Sequence, residues 1–462
     1  MIDKIKIESL SPIKHKEHLR RNLTNRHIQF IAIGGAVGTG LFMGSGKTIS
    51  LTGPSIILVY IIIGFILFFV MRAMGELFLS NTEYTSFSDF ASDLLGPCAG
   101  YMTSWTYWFC WIITGIADVI AITSYTQFWF PGVSKWIISL TIIIFLLGLN
   151  LITVKIFGEI EFWFSMIKVV AILTLIFIGL GMVFIHYELP NGNIASFSNL
   201  WNYGGWFPKG ISGFFAGFQN AVFAFVGIEL IGATTAETKD PKKSLPKAIN
   251  SMQIRIIIFY VFSLIMIMSV TPWVTITPDK SPFVELFTLA GLPEAASIIN
   301  FVVLTSAASS ANSGLFSTSR ILYSLAQNRL APKIFVLLSK RAIPFSGLTF
   351  SCICLITGTV MIYIIPNILT VFTIITTISA ILFMFIWSMI LCSYIAYRKQ
   401  RPYLHKISIY KMPFGQTMCL ICLAFFVFIL ILLTLKTDTC TALFFTPIWF
   451  IILGLGWILI HK

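Results

Sequence analysis

Runs of about twenty apolar residues, separated by short polar and basic segments, recur along all 462 residues of the chain. A helix of that length crosses a bilayer, whereas an isolated strand leaves its backbone groups unpaired in lipid. The pattern predicts twelve helical spans, at 28–50, 53–79, 98–128, 136–154, 158–184, 209–234, 250–274, 296–328, 346–364, 367–396, 416–436 and 441–460. The fold expected is an all-α integral membrane protein with about twelve transmembrane helices.

Composition agrees with that reading. Residues are 57% hydrophobic and 11% charged, against about 25% charged in a soluble domain, which needs them to cover its surface. The Lys and Arg residues divide unevenly between the two ends of the predicted spans. Twenty-five fall on the side of the N-terminal tail, and five on the other: Lys47, Lys135, Lys209, Lys280 and Lys436. Basic loops stay in the cytoplasm, so both termini are expected there. The formal charge of +13 is then a matter of basic loops beside anionic headgroups, with no nucleic-acid partner implied. Residues 1–27 are polar and basic, and no cleavable signal peptide is expected before Ile28. The eight cysteines lie almost entirely within spans, as packing thiols rather than as a metal framework.

Two spans are irregular. Six glycines fall between Gly34 and Gly46 in the first, and a glycine weakens a helix by about 1 kcal/mol relative to alanine. Unwound backbone in lipid is tolerated where it lines a cavity, which makes Gly35 to Gly40 a candidate site; close packing of helices is the alternative. The nearby GLFMGSGKT, Gly40 to Thr48, imitates a phosphate loop, but Leu41 stands where the first glycine is required and no strand precedes it. The sixth span carries Gly210, Gly213 and Gly217, then FAFVGIE at 223–229. If the first ten helices are two repeats of five, spans one and six correspond. Broken helices at matching places point to a transporter site near mid-membrane. Freed N–H groups attract a carboxylate and freed carbonyls an ammonium, so a zwitterionic amino acid suits the pair.

Three charged residues away from span ends call for an explanation, because such residues are rare in lipid unless useful. Lys168 is ten residues into its span, about 15 Å along the axis and near mid-depth. It reads as a proton carrier standing in a position otherwise suited to sodium, or as a structural amine paired with a fixed carboxylate. Asp118 shares a stripe with Thr114 and Tyr125 and reads as facing the substrate cavity, as taking part in proton transfer, or as held in a structural hydrogen bond. Glu229 follows the second break and reads as a proton-coupling group. Arg72 and Glu76, four apart at a helix end, read as a structural pair; Glu159 and Glu161 read as interfacial. The serines of span eight, Ser306, Ser309, Ser310, Ser313 and Ser317, form a stripe that faces protein. No nucleophile–base pair, metal set or cofactor motif supports an enzyme.

The run LTNRHIQFIAIGGAVGTG at 23–40 resembles the opening of bacterial amino acid permeases of the amino acid–polyamine–organocation superfamily. FAFVGIEL at 223–230, AETKDPKKSLPKAIN at 236–250 and SSANSGLFSTSR at 309–320 are similar to the same family, as are LFMGSGKTISLTGPSI, FSDFASDLLGP and TYWFCW. The resemblance implies a five-plus-five inverted repeat (LeuT-like) with two peripheral helices. The chain then divides into a cytoplasmic tail at 1–27, a first repeat at 28–184 and an external loop at 185–208. A second repeat at 209–396, a cytoplasmic loop at 397–415 and two additional helices at 416–462 complete it. Carried onto this sequence, the resemblance puts the substrate carboxylate at Gly38, Thr39 and Gly40 and its ammonium at the backbone of Phe223, Ala224 and Phe225. Lys168 matches a lysine that fills a sodium position in proton-coupled relatives. Asp118 stands where relatives often have Glu, which leaves its role open. Phe225 and Trp111 are candidates to shrink the pocket.

The function that the resemblance implies is import of small neutral amino acids, glycine, D-alanine and D-serine among them, by proton symport with no cofactor. Obligate exchange, another amino acid as substrate, and a nutrient receptor without transport stand as alternatives.

Overall fold

The computed structural model describes residues 37–81, 84, 86–152, 154–233, 240–278, 280–341, 343–363 and 368–460. The tail at 1–27, the first span before Val37 (with Gly34, Gly35 and Ala36) and the 236–239 part of the quoted motif lie outside the described residues.

All regular elements among the described residues are helical. In chain order they are α1 (Thr39–Phe42), α2 (Gly44–Thr52), α3 (Ile56–Ser80), α4 (Phe87–Leu95), α5 (Pro97–Gln127), α6 (Lys135–Asn150) and α7 (Val154–Phe184). After the 185–209 segment come α8 (Gly210–Ala221), α9 (Leu230–Ala233), α10 (Pro241–Asn250), α11 (Met252–Ile256) and α12 (Ser263–Val270). Then follow α13 (Pro282–Leu289), α14 (Pro293–Gln327), α15 (Phe345–Tyr363), α16 (Ile368–Gln400), α17 (Pro402–Ile407), α18 (Gly415–Leu433) and α19 (Thr437–Ile460). Nine stretches are long and apolar enough to cross a membrane among the described residues, and α6 and 345–360 are shorter apolar helices. One stretch, Gly44–Ser80, joins the end of the expected first span to the second through a 3₁₀ turn at Gly53–Ser55.

Helix starts follow local chemistry. Proline opens α5, α10, α13 and α14, where its missing N–H costs no hydrogen bond. Ser86 and Asp89 form a capping box on α4. Between α11 and α12, residues Ile257–Phe262 form a π-helix, a widened turn that re-aims its side chains.

The core centres on α5 and α14, which pack most extensively on each other. The apolar window of α5 is 78% buried and that of α19 only 11%, so α19 is peripheral and presents its apolar residues outward. Trp163, Phe177 and Phe444 also stand largely exposed, an arrangement that suits lipid and not water.

Arg72 and Glu76 do not pair with each other. Glu76 is fully buried and accepts from Tyr394 Oη at 2.9 Å and Met412 N at 2.8 Å, with His405 Nδ1 at 2.6 Å. Arg72 bonds Asn250 Oδ1 at 2.9 Å and the Lys411 carbonyl, and lies 3.8 Å over the Tyr410 ring. Both residues fasten the 401–412 segment to the end of α3. The i, i+4 spacing is incidental because each side chain has better partners there.

Candidate functional site

The first break ends where α1 begins. Gly38 caps α1 in an extended conformation without side-chain help, and its carbonyl accepts from Leu41 and Phe42 at 3.2 and 3.3 Å. The amides of Thr39 and Gly40 are first-turn donors, which no carbonyl of the same helix can reach. The Val37 carbonyl just before them takes a hydrogen bond from Ser306 at 2.9 Å.

The second break follows α8. Residues Val222–Phe225 tighten into a 3₁₀ turn, Val226 is extended, and Gly227 has φ +99°. A side chain there would be strained, so the glycine makes the reversal possible. Its amide is capped by Glu229 Oε2 at 3.2 Å.

The two breaks touch. A Cβ on Gly40 would lie 2.5 Å from Ala224 Cα and 2.7 Å from the Phe223 carbonyl oxygen, so a hydrogen at this position is what lets them meet. A Cβ on Gly38, in contrast, would meet Ser310 Oγ at 3.7 Å, ordinary contact. The carbonyls of Phe223, Ala224 and Phe225 are each engaged once. Phe223 O accepts from Val226 N at 3.2 Å, Ala224 O from Tyr260 Oη at 2.8 Å, and Phe225 O from Ile228 N at 3.5 Å. Each keeps a second lone pair. Tyr260 reaches Ala224 from the π-helical segment.

Asp118 on α5 lies directly beside the first break. Thr39 Oγ1 donates to Asp118 Oδ1 at 2.7 Å, and the carboxylate is fully buried. Its Oδ2 has no hydrogen-bond partner of ordinary geometry, with Ser310 of α14 nearby.

Lys168 is fully buried on α7 and donates to Ser309 Oγ at 3.1 Å. Ser309 donates in turn to Glu161 Oε2 at 2.7 Å, and Asn312 Nδ2 donates to Glu161 Oε1 at 2.7 Å. Asn150 closes the group through Asn312 Oδ1 at 2.8 Å. Glu161 and Asp118 are the two carboxylates whose charge acts on Lys168. Glu161 was expected at the membrane surface; it is 1% exposed, because α7 begins at Val154 and carries it two turns inward. Its spacing of seven from Lys168 puts both on one helix face, a signal present in the sequence. The serine stripe of α14 divides its work: Ser306 holds the first break, Ser309 the Lys168 group, and Ser310 faces Gly38 and Asp118.

Glu229 belongs to a separate cluster, with the Gly227 amide and Tyr107 Oη at 3.5 Å. The Phe225 ring stacks on Tyr260 at 5.0 Å and tilts against Tyr60 at 5.5 Å. Trp111 packs beside Gly314, with Phe383 at 5.7 Å. Among the described residues no group of His, Cys, Asp and Glu is arranged to hold a metal ion.

The amino acid permease family matches residues 27–462. The chain belongs to that family. Among permeases of known name it is similar to the D-serine/D-alanine/glycine transporter of Escherichia coli (strain K12), 70% identical over 462 residues that cover 100% of this chain and 98% of the relative. The namesake protein of Escherichia coli O6:H1 is 71% identical over the same coverage. Amino-acid permease AapA of Bacillus subtilis (strain 168) is 50% identical over 438 residues, 95% of this chain and 94% of the relative. As a permease, the chain is a multi-pass membrane transporter, and the motifs at 223–230 and 309–320 fall on its second break and its Lys168 group.

Proposed function

We propose that this permease imports small neutral amino acids, D-serine, D-alanine and glycine, together with a proton across the cytoplasmic membrane. The observation that carries the reading is the contact of Gly40 with Ala224: it sets the first-turn amides of one broken span against the carbonyls of another. A zwitterion with little or no side chain binds beside that contact, carboxylate to the amides of Thr39 and Gly40, ammonium to the second lone pairs of Phe223, Ala224 and Phe225. Gly38 leaves the space that the carboxylate enters. Asp118, held by Thr39, offers Oδ2 as a further acceptor. Full-length identity of 70–71% to transporters named for these three amino acids supports the substrate range.

Both termini lie in the cytoplasm in this reading, as the uneven Lys and Arg distribution indicates. The end bearing Lys47, Lys135, Lys209, Lys280 and Lys436 faces outward. Residues 28–184 and 209–396 form two inverted repeats whose matched first helices are the two broken ones. Lys168 carries the coupling proton. Ser309 and Glu161 hold it when charged, and its release to the cytoplasm resets the site. Glu229 keeps the second break in shape and takes part in coupling through the Gly227 amide.

Uptake of labelled D-alanine into proteoliposomes, challenged with excess glycine, D-serine, leucine or arginine, tests the substrate range. Inhibition by glycine and D-serine but not by leucine or arginine is expected; equal inhibition by all four refutes a small neutral pocket. Obligate exchange gives no uptake into empty vesicles.

A further inference from the structure

Beyond the second break a small pocket of about 20 Å³ lies between Met43, Lys47, Asn220, Phe223, Phe372 and Thr373. It is large enough for about one water molecule. Phe223 belongs to the substrate break, while Lys47 stands eight residues past Thr39 on the same broken span, about 12 Å further out. The pocket therefore marks the route between the site and the outward end. Two contacts close it. Lys47 Nζ donates to Thr373 Oγ1 at 2.7 Å, and the rings of Phe223 and Phe372 meet edge to face at 6.4 Å and 86°.

Lys47 brings a charge to this route that closure alone does not need. Lys436, just before α19, and Asp438, in its first turn, are the charged groups that act on it. Two ammonium groups and one carboxylate leave a net positive charge beside the passage. A zwitterion carries no net charge past it, and its carboxylate is attracted. An amino acid with a second ammonium is repelled, and in a narrow, water-poor passage the repulsion is screened little. Rejection by a placed like charge is a common route to specificity.

We propose that Lys47, anchored by Thr373, is a charge filter that excludes cationic amino acids from the site. The inference rests on the substrate reading above. The test measures inhibition of D-alanine uptake by D-2,3-diaminopropionate and by D-serine, at mildly acidic pH where both amines of the former are protonated. The two compounds differ by an ammonium in place of a hydroxyl on Cβ, so size is held constant. In the wild type D-serine should inhibit at concentrations at least about tenfold lower. Lys47→Met should narrow that gap by about tenfold; Lys47→Arg and Thr373→Val, which keep the charge, should preserve it. Should Lys47→Met fail to fold, Lys47→Gln carries the same expectation. An unchanged gap in the neutral variant that still takes D-serine overturns the filter. Failure of D-serine to inhibit the wild type contradicts the substrate reading instead, and the filter is then read from diaminopropionate inhibition alone, which must strengthen in the neutral variant.

Discussion

Glu161 and Lys168 stand two turns apart on α7 and meet through one hydroxyl: Ser309 Oγ accepts from Lys168 at 3.1 Å and donates to Glu161 at 2.7 Å. The serine comes from α14, so the charged pair of one helix is completed by another. Burying two charges is costly, and the cost is offset only when every lone pair and proton is matched. Asn312 supplies the remaining match on Glu161. The arrangement supports the charge of Lys168 through a hydroxyl that Glu161 itself holds.

Lys168→Ala should abolish uphill accumulation of D-alanine more severely than it weakens D-alanine binding. Binding by tryptophan fluorescence and accumulation in proteoliposomes separate the two effects. Equal loss of both would mean that the lysine only holds the site together.

Glu161→Gln should destabilise the protein by about 3 kcal/mol, because buried Lys168 loses the carboxylate that acts on it most strongly. Adding Lys168→Met should restore part of that stability in thermal unfolding, since the uncompensated charge is then gone. Additive losses in the double variant would show that the two residues are not coupled.

Gly38 and Gly40 should respond differently to the same methyl group. Gly40→Ala drives its Cβ into the backbone of Ala224, so it should separate the two breaks and lower thermal stability by about 1–3 kcal/mol. Gly38→Ala finds ordinary contact distances and should fold normally, while Gly38→Val should remove binding by filling the carboxylate's place. Retained affinity in Gly38→Val would refute the placement of the substrate.

How far these features could be read without coordinates depends on how local they are. Lys168, Asp118 and Glu229 stand out because a charge in an apolar run is conspicuous. The second break was legible from Gly227. Glu161 was misplaced because its helix begins earlier than its apolar run, so a boundary shift of a few residues turned a buried ligand into an interfacial one. The spacing of Arg72 and Glu76 suggested a pair, yet the partners of Glu76 at His405 and Met412 lie more than three hundred residues away. The contact of Gly40 with Ala224 is likewise non-local. No periodicity in either span records it.

Two carboxylates near the 401–412 segment should differ widely in importance. Glu76→Ala strands the Tyr394 hydroxyl, the Met412 amide and His405 around a buried gap, and should cost about 3 kcal/mol or more in thermal unfolding. Asp93, 39% exposed, accepts from Tyr84 and from Arg401 at 2.7 Å. Asp93→Asn should cost under about 1 kcal/mol, since solvent screens an exposed pair.

The Asp93 contribution has a defined pH dependence. The Tyr84 hydrogen bond, with Arg401 behind it, holds the Asp93 carboxyl below its ordinary value. A lowered folded value adds stability that is full above the unfolded value of about 4 and is lost as pH falls through the lowered one. Melting curves of wild type and Asp93→Asn should therefore differ at neutral pH and converge in strong acid. Mildly acidic uptake assays are unaffected by this group.

Accumulation of labelled D-alanine in sodium-free proteoliposomes, with and without an imposed inward proton gradient, tests the central claim most directly. Accumulation above the external concentration with the gradient, lost when the gradient is collapsed, is the predicted result. Accumulation that is indifferent to the proton gradient would contradict proton-coupled import and leave Lys168 without its proposed role.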